Sequence, residues 1–188
     1  MGRTESGHKI SSEWKGLQQK KGKAEIKSGK KMIIKEVKTT AKKTFAPGLY
    51  DLTELQRDAN KRFGYSAKET LNIMQRLYES HKVLTYPRTD SRYITTDVAD
   101  TLKERLKACS VGPYRKLAGS LSMRPIRKNA SFVDNKKVTD HHAIIPTEQF
   151  VDLQTMTNEE RKVYDLVVRR FLAVLLPAFE YDQTVFTG

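Results

Sequence analysis

The chain has 188 residues, 30% charged and 38% hydrophobic, which suffices for one domain and part of another around a modest core. Its 35 Lys and Arg against 22 Asp and Glu leave +13 net, a balance that suits a polyanion, nucleic acid first and an acidic membrane surface second. A single cysteine, Cys109, excludes an internal disulfide and suits a reducing, cytoplasmic home, and no apolar run nears the roughly 20 residues of a membrane span.

Residues 1–31 are polar and rich in Lys, Gly and Ser. They are expected to be mobile, or to need a partner segment, with a short helix over 13–20. The N-terminus lacks the apolar core of a secretion signal. The first 50 residues hold 13 Lys and Arg against 4 acids, so most of the excess charge sits here, either as a solvated tail or as a DNA-contacting one. Residues 32–41 read as a strand, and Phe45-Ala46-Pro47-Gly48 as a turn at a domain boundary.

Helical pattern follows. Thr53 and Gln56 form a capping box, Leu52, Leu55, Ala59 and Phe63 mark one face, and Gly64 closes the helix. Ser66 and Glu69 form a second box ahead of a stripe of Leu71, Met74, Leu77 and Tyr78. Thr95-Thr96-Asp97 caps a third helix with Val98, Leu102 and Leu106 inward, and Pro113 starts a short fourth. Residues 122–139 are irregular, with a turn at Asp134-Asn135. Thr157 and Glu160 form a third box, opening a long helix with Val163, Leu166, Val167, Arg170, Phe171 and Val174 on its inner and boundary faces. Phe179, Tyr181 and Val185 then alternate with polar residues as a strand. The two outer strands pair either with each other or with a sheet formed by other segments.

Between the second and third helices lies Val83-Leu84-Thr85-Tyr86-Pro87-Arg88-Thr89-Asp90-Ser91-Arg92-Tyr93. Pro87 removes a backbone donor, fixes its own φ and pushes Tyr86 out of the α region. The phenol is thereby held on a stiff extended piece at the mouth of a loop. Arg88 follows, a permanent cation whose planar fork suits phosphate. A phenol is a weak nucleophile at neutral pH, but cations and a bound phosphodiester can change that, and attack on phosphorus yields a covalent ester.

Leu84 to Tyr93 resembles the active-site signature of type IA DNA topoisomerases in the form used by the topoisomerase III branch. Leu49-Tyr50-Asp51-Leu52-Thr53-Glu54-Leu55-Gln56 with Ala59-Asn60, and Asp140-His141-His142-Ala143-Ile144-Ile145-Pro146-Thr147, resemble two further stretches of that family. The resemblance implies a mainly α fold, a helical domain (residues 50–176) inserted between strands of a partial β hinge, or arch, domain (1–49 and 177–188).

It also implies roles. Tyr86 is the nucleophile that cuts one DNA strand and keeps the 5′ phosphate, changing DNA topology without ATP. Arg88 binds a non-bridging oxygen and stabilises developing charge. His141 donates to a phosphate oxygen, with His142 beside it as the competing choice. Lys82, Thr89, Asp90, Ser91, Arg92 and Thr147 are candidate contacts to single-stranded DNA. Asp90 is expected to orient Arg88 or Arg92, and Thr147 either reaches a phosphate or holds its turn. His8 and His81 receive no role.

The family's Toprim domain supplies an acid cluster for Mg²⁺, a glutamate and a lysine. No such cluster is recognisable here, so no metal residues are assigned to this chain. It is expected to be inactive alone and to work with the Toprim and remaining arch domains. Charge and helices alone would also suit a non-catalytic single-stranded nucleic-acid-binding helical module.

Overall fold

Each expected capping box is a claim about which residue starts a helix, and two of the three hold in the computed structural model, which describes residues 36–126 and 128–187. Helix α1, Leu52–Phe63, starts earlier than expected. Asp51 is extended (φ −87°, ψ 175°) and its carboxylate accepts from the Glu54 amide at 2.7 Å. Asp51 takes the cap, worth about 1 kcal/mol, and Thr53 lies inside the helix. Gln56 instead donates to the Ala67 carbonyl at 3.1 Å, joining α1 to the next helix. Gly64, at φ 75°, ends α1 in the left-handed conformation glycine tolerates.

Helix α2, Ala67–Glu79, carries the Ser66/Glu69 box. Its buried face is Thr70, Ile73, Met74 and Leu77, turned from the expected stripe, so Tyr78 is exposed and Leu71 half-buried. Burial of Thr70 is tolerated because its hydroxyl donates to the Ser66 carbonyl at 2.9 Å.

The expected third helix is two, α3 (Thr96–Asp100) and α4 (Leu102–Ala108), broken at Thr101. The Thr101 hydroxyl donates to the Val98 carbonyl at 2.9 Å and accepts from Arg105 Nε at 2.7 Å. Leu102 and Leu106 are fully buried as expected, whereas Val98 is half-buried. A 3₁₀ turn containing Pro113 leads into α5, Arg115–Ser122. A second, at Asn135–Lys137, is capped by Asp134. Helix α6, Asn158–Val174, opens on the Thr157/Glu160 box and buries Val163, Tyr164, Leu166, Val167, Val168, Phe171 and Leu172.

The chain divides into two compact units. Residues 46–176 form the helical one, in which α1, α2 and α6 pack on one another and α4 on α5. Leu49 and Tyr50 belong to its buried core, so the division falls after Phe45 rather than at the expected 49/50 boundary. Arg170 fastens the start of this unit: it donates to the Gly48 carbonyl at 3.0 Å, pairs with Asp58 at 2.9 Å and stacks over Tyr50.

In the other unit, β1 (Glu36–Thr44) and β2 (Phe179–Thr187) form an antiparallel ribbon, in register from Glu36 opposite Thr187 to Thr44 opposite Phe179. The outer strands thus pair with each other. Strand β1 runs to Thr44 rather than 41 because β2 offers partners that far, and Lys43 pairs with Glu180 at 2.6 Å. The expected helix over 13–20, the mobility of 1–31 and the strand start at 32 lie outside the described residues. Among the described residues no helix is long and apolar enough to cross a membrane.

Candidate active site

The chain leaves α2 by a sharp reversal. The Arg76 carbonyl accepts from the amides of Ser80 and His81, and the Leu77 carbonyl from that of Val83 at 3.0 Å. Lys82, at φ 56°, is the one non-glycine residue in the left-handed region among the described residues. Such strain persists only when neighbours impose it. Here Thr147 does so, its hydroxyl donating to the Lys82 carbonyl at 2.6 Å.

Residues 83–85 then run beside 143–147. Leu84 bridges Pro146 in antiparallel fashion. Thr85 donates its amide to the Ile145 carbonyl and Thr147 its amide to the Val83 carbonyl, both at 3.0 Å. The Thr85 hydroxyl accepts from the Ile145 amide and donates to the Ala143 carbonyl. The third stretch joins them, because the Ile144 amide donates to the Tyr50 carbonyl at 2.9 Å. Three segments far apart in sequence therefore meet in one irregular patch of extended backbone.

This pairing brings Tyr86 and His141 together. Tyr86 is half-buried, and its ring lies 4.2 Å from that of exposed His141, planes 38° apart. Tyr78 meets Tyr86 at 5.5 Å and 80°. His141, not His142, is therefore the histidine at the phenol. His142 is half-buried, its Nδ1 donates to the Ala143 carbonyl at 2.8 Å, and burial holds its imidazole below the ordinary value. The phenols of Tyr50, Tyr114 and Tyr164 are in the core, and burial pushes them well above the ordinary tyrosine value. They are unsuited to nucleophilic work.

Arg88 is exposed and, among the described residues, meets no carboxylate. Asp90 is also exposed and pairs with neither Arg88 nor Arg92, contrary to the expectation that it orients one of them. Arg92 is held instead at the start of α1, 3.1 Å from Asp51 and 2.9 Å from Glu54, because those carboxylates face it across the Leu52–Thr89 backbone bond. Thr89 and Ser91 are buried, at 6% and 5% exposure. Their hydroxyls donate to the carbonyls of His141 and Lys137. Lys82 projects into solvent.

Two charged residues outside the motifs support the patch. Buried Glu160 receives Arg76 at 2.7 Å, His81 at 3.2 Å and the Thr157 amide at 2.9 Å. Burial alone would raise its pKa, but Arg76, the Thr157 amide and His81 outweigh this and hold the carboxyl below its ordinary range. His81, given no role from sequence, thus helps hold the reversal ahead of Tyr86. Buried Arg105 donates to the Pro146 carbonyl at 2.9 Å and pairs with Glu148 at 2.7 Å, gripping the end of the second motif. Among the described residues no three His, Cys, Asp or Glu side chains gather to hold a metal ion. The described residues therefore do not fit a Mg²⁺ site.

A family model described as DNA topoisomerase matches residues 3–187. The chain belongs to the type IA DNA topoisomerases. It is 69% identical over 150 residues to DNA topoisomerase 3 of Bacillus cereus (strain ATCC 10987 / NRS 248), covering 80% of this chain and 21% of that protein. It is 56% identical over 156 residues to DNA topoisomerase 3 of Bacillus subtilis (strain 168), covering 83% of this chain and 22% of that one. These relatives put it on the topoisomerase III branch, of which it spans about a fifth of the length. Full-length topoisomerase I from Thermotoga maritima is similar in structure, with TM-score 0.58 and 25% identity over 82% of this chain and 24% of that one. That agrees with the mainly α fold.

Proposed function

We propose that this chain is the nucleophile-bearing part of a topoisomerase that cuts and reseals one DNA strand. The observation that carries the reading is the contact of Tyr86 with His141 beside an Arg88 that has no carboxylate partner among the described residues. The Tyr86 phenolic oxygen attacks a backbone phosphorus. The new Oη–P bond replaces the P–O3′ bond, the phenol loses its proton, and the departing 3′ oxygen takes one up. The reverse displacement reseals the strand, so no ATP is consumed. Arg88 and His141 take the non-bridging oxygens, where negative charge builds.

Among the described residues Lys82 and Arg88 meet no carboxylate, and they keep the role of steering the anionic strand. Thr89, Ser91, Arg92 and Thr147 are committed to protein partners, and we assign them to holding the loop rather than to DNA. Asp90 forms no ion pair among the described residues. The general acid and Mg²⁺ belong, in this reading, to a Toprim domain elsewhere in the whole enzyme. The ribbon belongs, in this reading, to the family's hinge domain.

The test combines the 188 residues with the rest of the enzyme and a single-stranded suicide oligonucleotide. A covalent adduct at the 5′ phosphate, lost in Tyr86→Phe, is expected. The 188 residues alone are expected to bind single-stranded DNA weakly and to relax no supercoils. An adduct that survives Tyr86→Phe, or one at the 3′ phosphate, overturns the reading.

A further inference from the structure

Tyr78 was expected in the buried stripe of α2, yet 36% of it is exposed and its ring rests against Tyr86. Its backbone is firmly placed. Met74 and Leu77 beside it are fully buried, and the Leu77 carbonyl holds the Val83 amide of the segment leading to Tyr86. Among the described residues no hydrogen bond holds the Tyr86 hydroxyl, so ring contacts decide where that oxygen points. Two are aromatic: His141 at 4.2 Å and Tyr78, nearly perpendicular, at 5.5 Å. Perpendicular pairs at this spacing are attractive and directional.

We infer that Tyr78 is a positioning residue for the nucleophile, its perpendicular contact keeping the Tyr86 ring turned so that the oxygen approaches phosphorus in line. The inference rests on the proposed role of Tyr86. In-line attack tolerates little angular error, so loosening the ring lowers the rate of bond formation without weakening the grip on DNA.

The experiment uses the complete enzyme containing this chain, a labelled single-stranded oligonucleotide, and single-turnover adduct formation measured beside DNA affinity at one salt concentration. Tyr78→Phe keeps the ring and is expected to react at the parent rate. Tyr78→Ala is expected to slow adduct formation roughly three- to tenfold, the size of an aromatic pair expressed as a rate, with DNA affinity unchanged. Tyr78→Leu, which keeps apolar bulk without the ring, is expected to slow it similarly and serves if the alanine variant folds poorly.

Parent rates in both Tyr78→Ala and Tyr78→Leu overturn the inference. So does equal slowing in Tyr78→Phe, which would assign the effect to the hydroxyl. A loss of affinity matching the loss of rate also overturns it, by making Tyr78 a base-stacking contact. Tyr86→Phe separates the two proposals: an adduct there sinks the nucleophile itself, whereas no adduct there with unslowed Tyr78 variants sinks the positioning role alone.

Discussion

Removing the Glu160 carboxylate is expected to destabilise the helical unit and to shift the reversal that carries Tyr86. Glu160 is 3% exposed and meets three donors from two elements and a loop: Arg76 near the end of α2, His81 just after it, and the Thr157 amide at the start of α6. A hydrogen bond to an ionised group is worth about 1.5–3 kcal/mol. The Arg76 side chain is 48% exposed, so its pair is screened and counts for a fraction of that. His81 is 19% exposed and keeps more of its value. Together Glu160→Ala should cost about 3 kcal/mol, and Glu160→Gln, which retains one acceptor, about half as much. For a unit of this size the alanine variant should melt about 10 °C lower.

The pH dependence follows from the direction of the shift. The folded carboxyl titrates below its ordinary range, so its contribution is complete above the unfolded-state value near ~4.3 and is lost as pH falls through the lower folded value. The gap between parent and Glu160→Gln should therefore be open at neutral pH and narrow as the pH falls below the ordinary carboxylate range. Thermal melting followed by circular dichroism across that range measures both. An alanine variant melting within about 2 °C of the parent, or a gap that widens rather than narrows as the pH falls, would refute the reasoning.

Two further substitutions probe the same reversal. Lys82→Gly removes the left-handed strain at φ 56° and, after the entropy glycine adds to the unfolded chain, should raise stability by about 0.5–1 kcal/mol in urea titrations while weakening DNA binding. Thr147→Val removes the hydroxyl that donates to the Lys82 carbonyl and accepts from the Gln149 amide, so it should cost about 1–2 kcal/mol in the same titration, with Thr147→Ser close to the parent.

What could be read from the sequence was local. The Ser66/Glu69 and Thr157/Glu160 boxes form because cap, helix and partner all lie within four residues. The Thr53/Gln56 box fails for an equally local reason: Asp51, two residues earlier, takes the cap by accepting from the Glu54 amide. Tyr86, Arg88 and His141 were legible only because the motifs carry them. No periodicity would have brought residue 86 to 141. What stayed hidden depends on what lies across the fold. Thr70 rather than Tyr78 lies on the buried face of α2, and Arg92 and Arg105 read as surface charges until Asp51, Glu54, Pro146 and Glu148 stand opposite them.

Those hidden partners bear on how a half-buried side chain such as Tyr86, the proposed nucleophile, can be held accurately. A core side chain is fixed by close packing on all sides. Tyr86 is only half-buried, as the proposed attack on a DNA strand requires. Its backbone is fixed instead by polar bonds arriving from the second motif through Thr85 and Thr147, from α6 through Glu160 and His81, and from α4 through Arg105 and Pro146. These groups brace the segments on either side of Tyr86 rather than the ring itself. Polar bonds of this kind can break and reform at modest cost, whereas a repacked core cannot. A site built on them stays accurate while the strand is bound, and can loosen locally without unfolding the helices behind it.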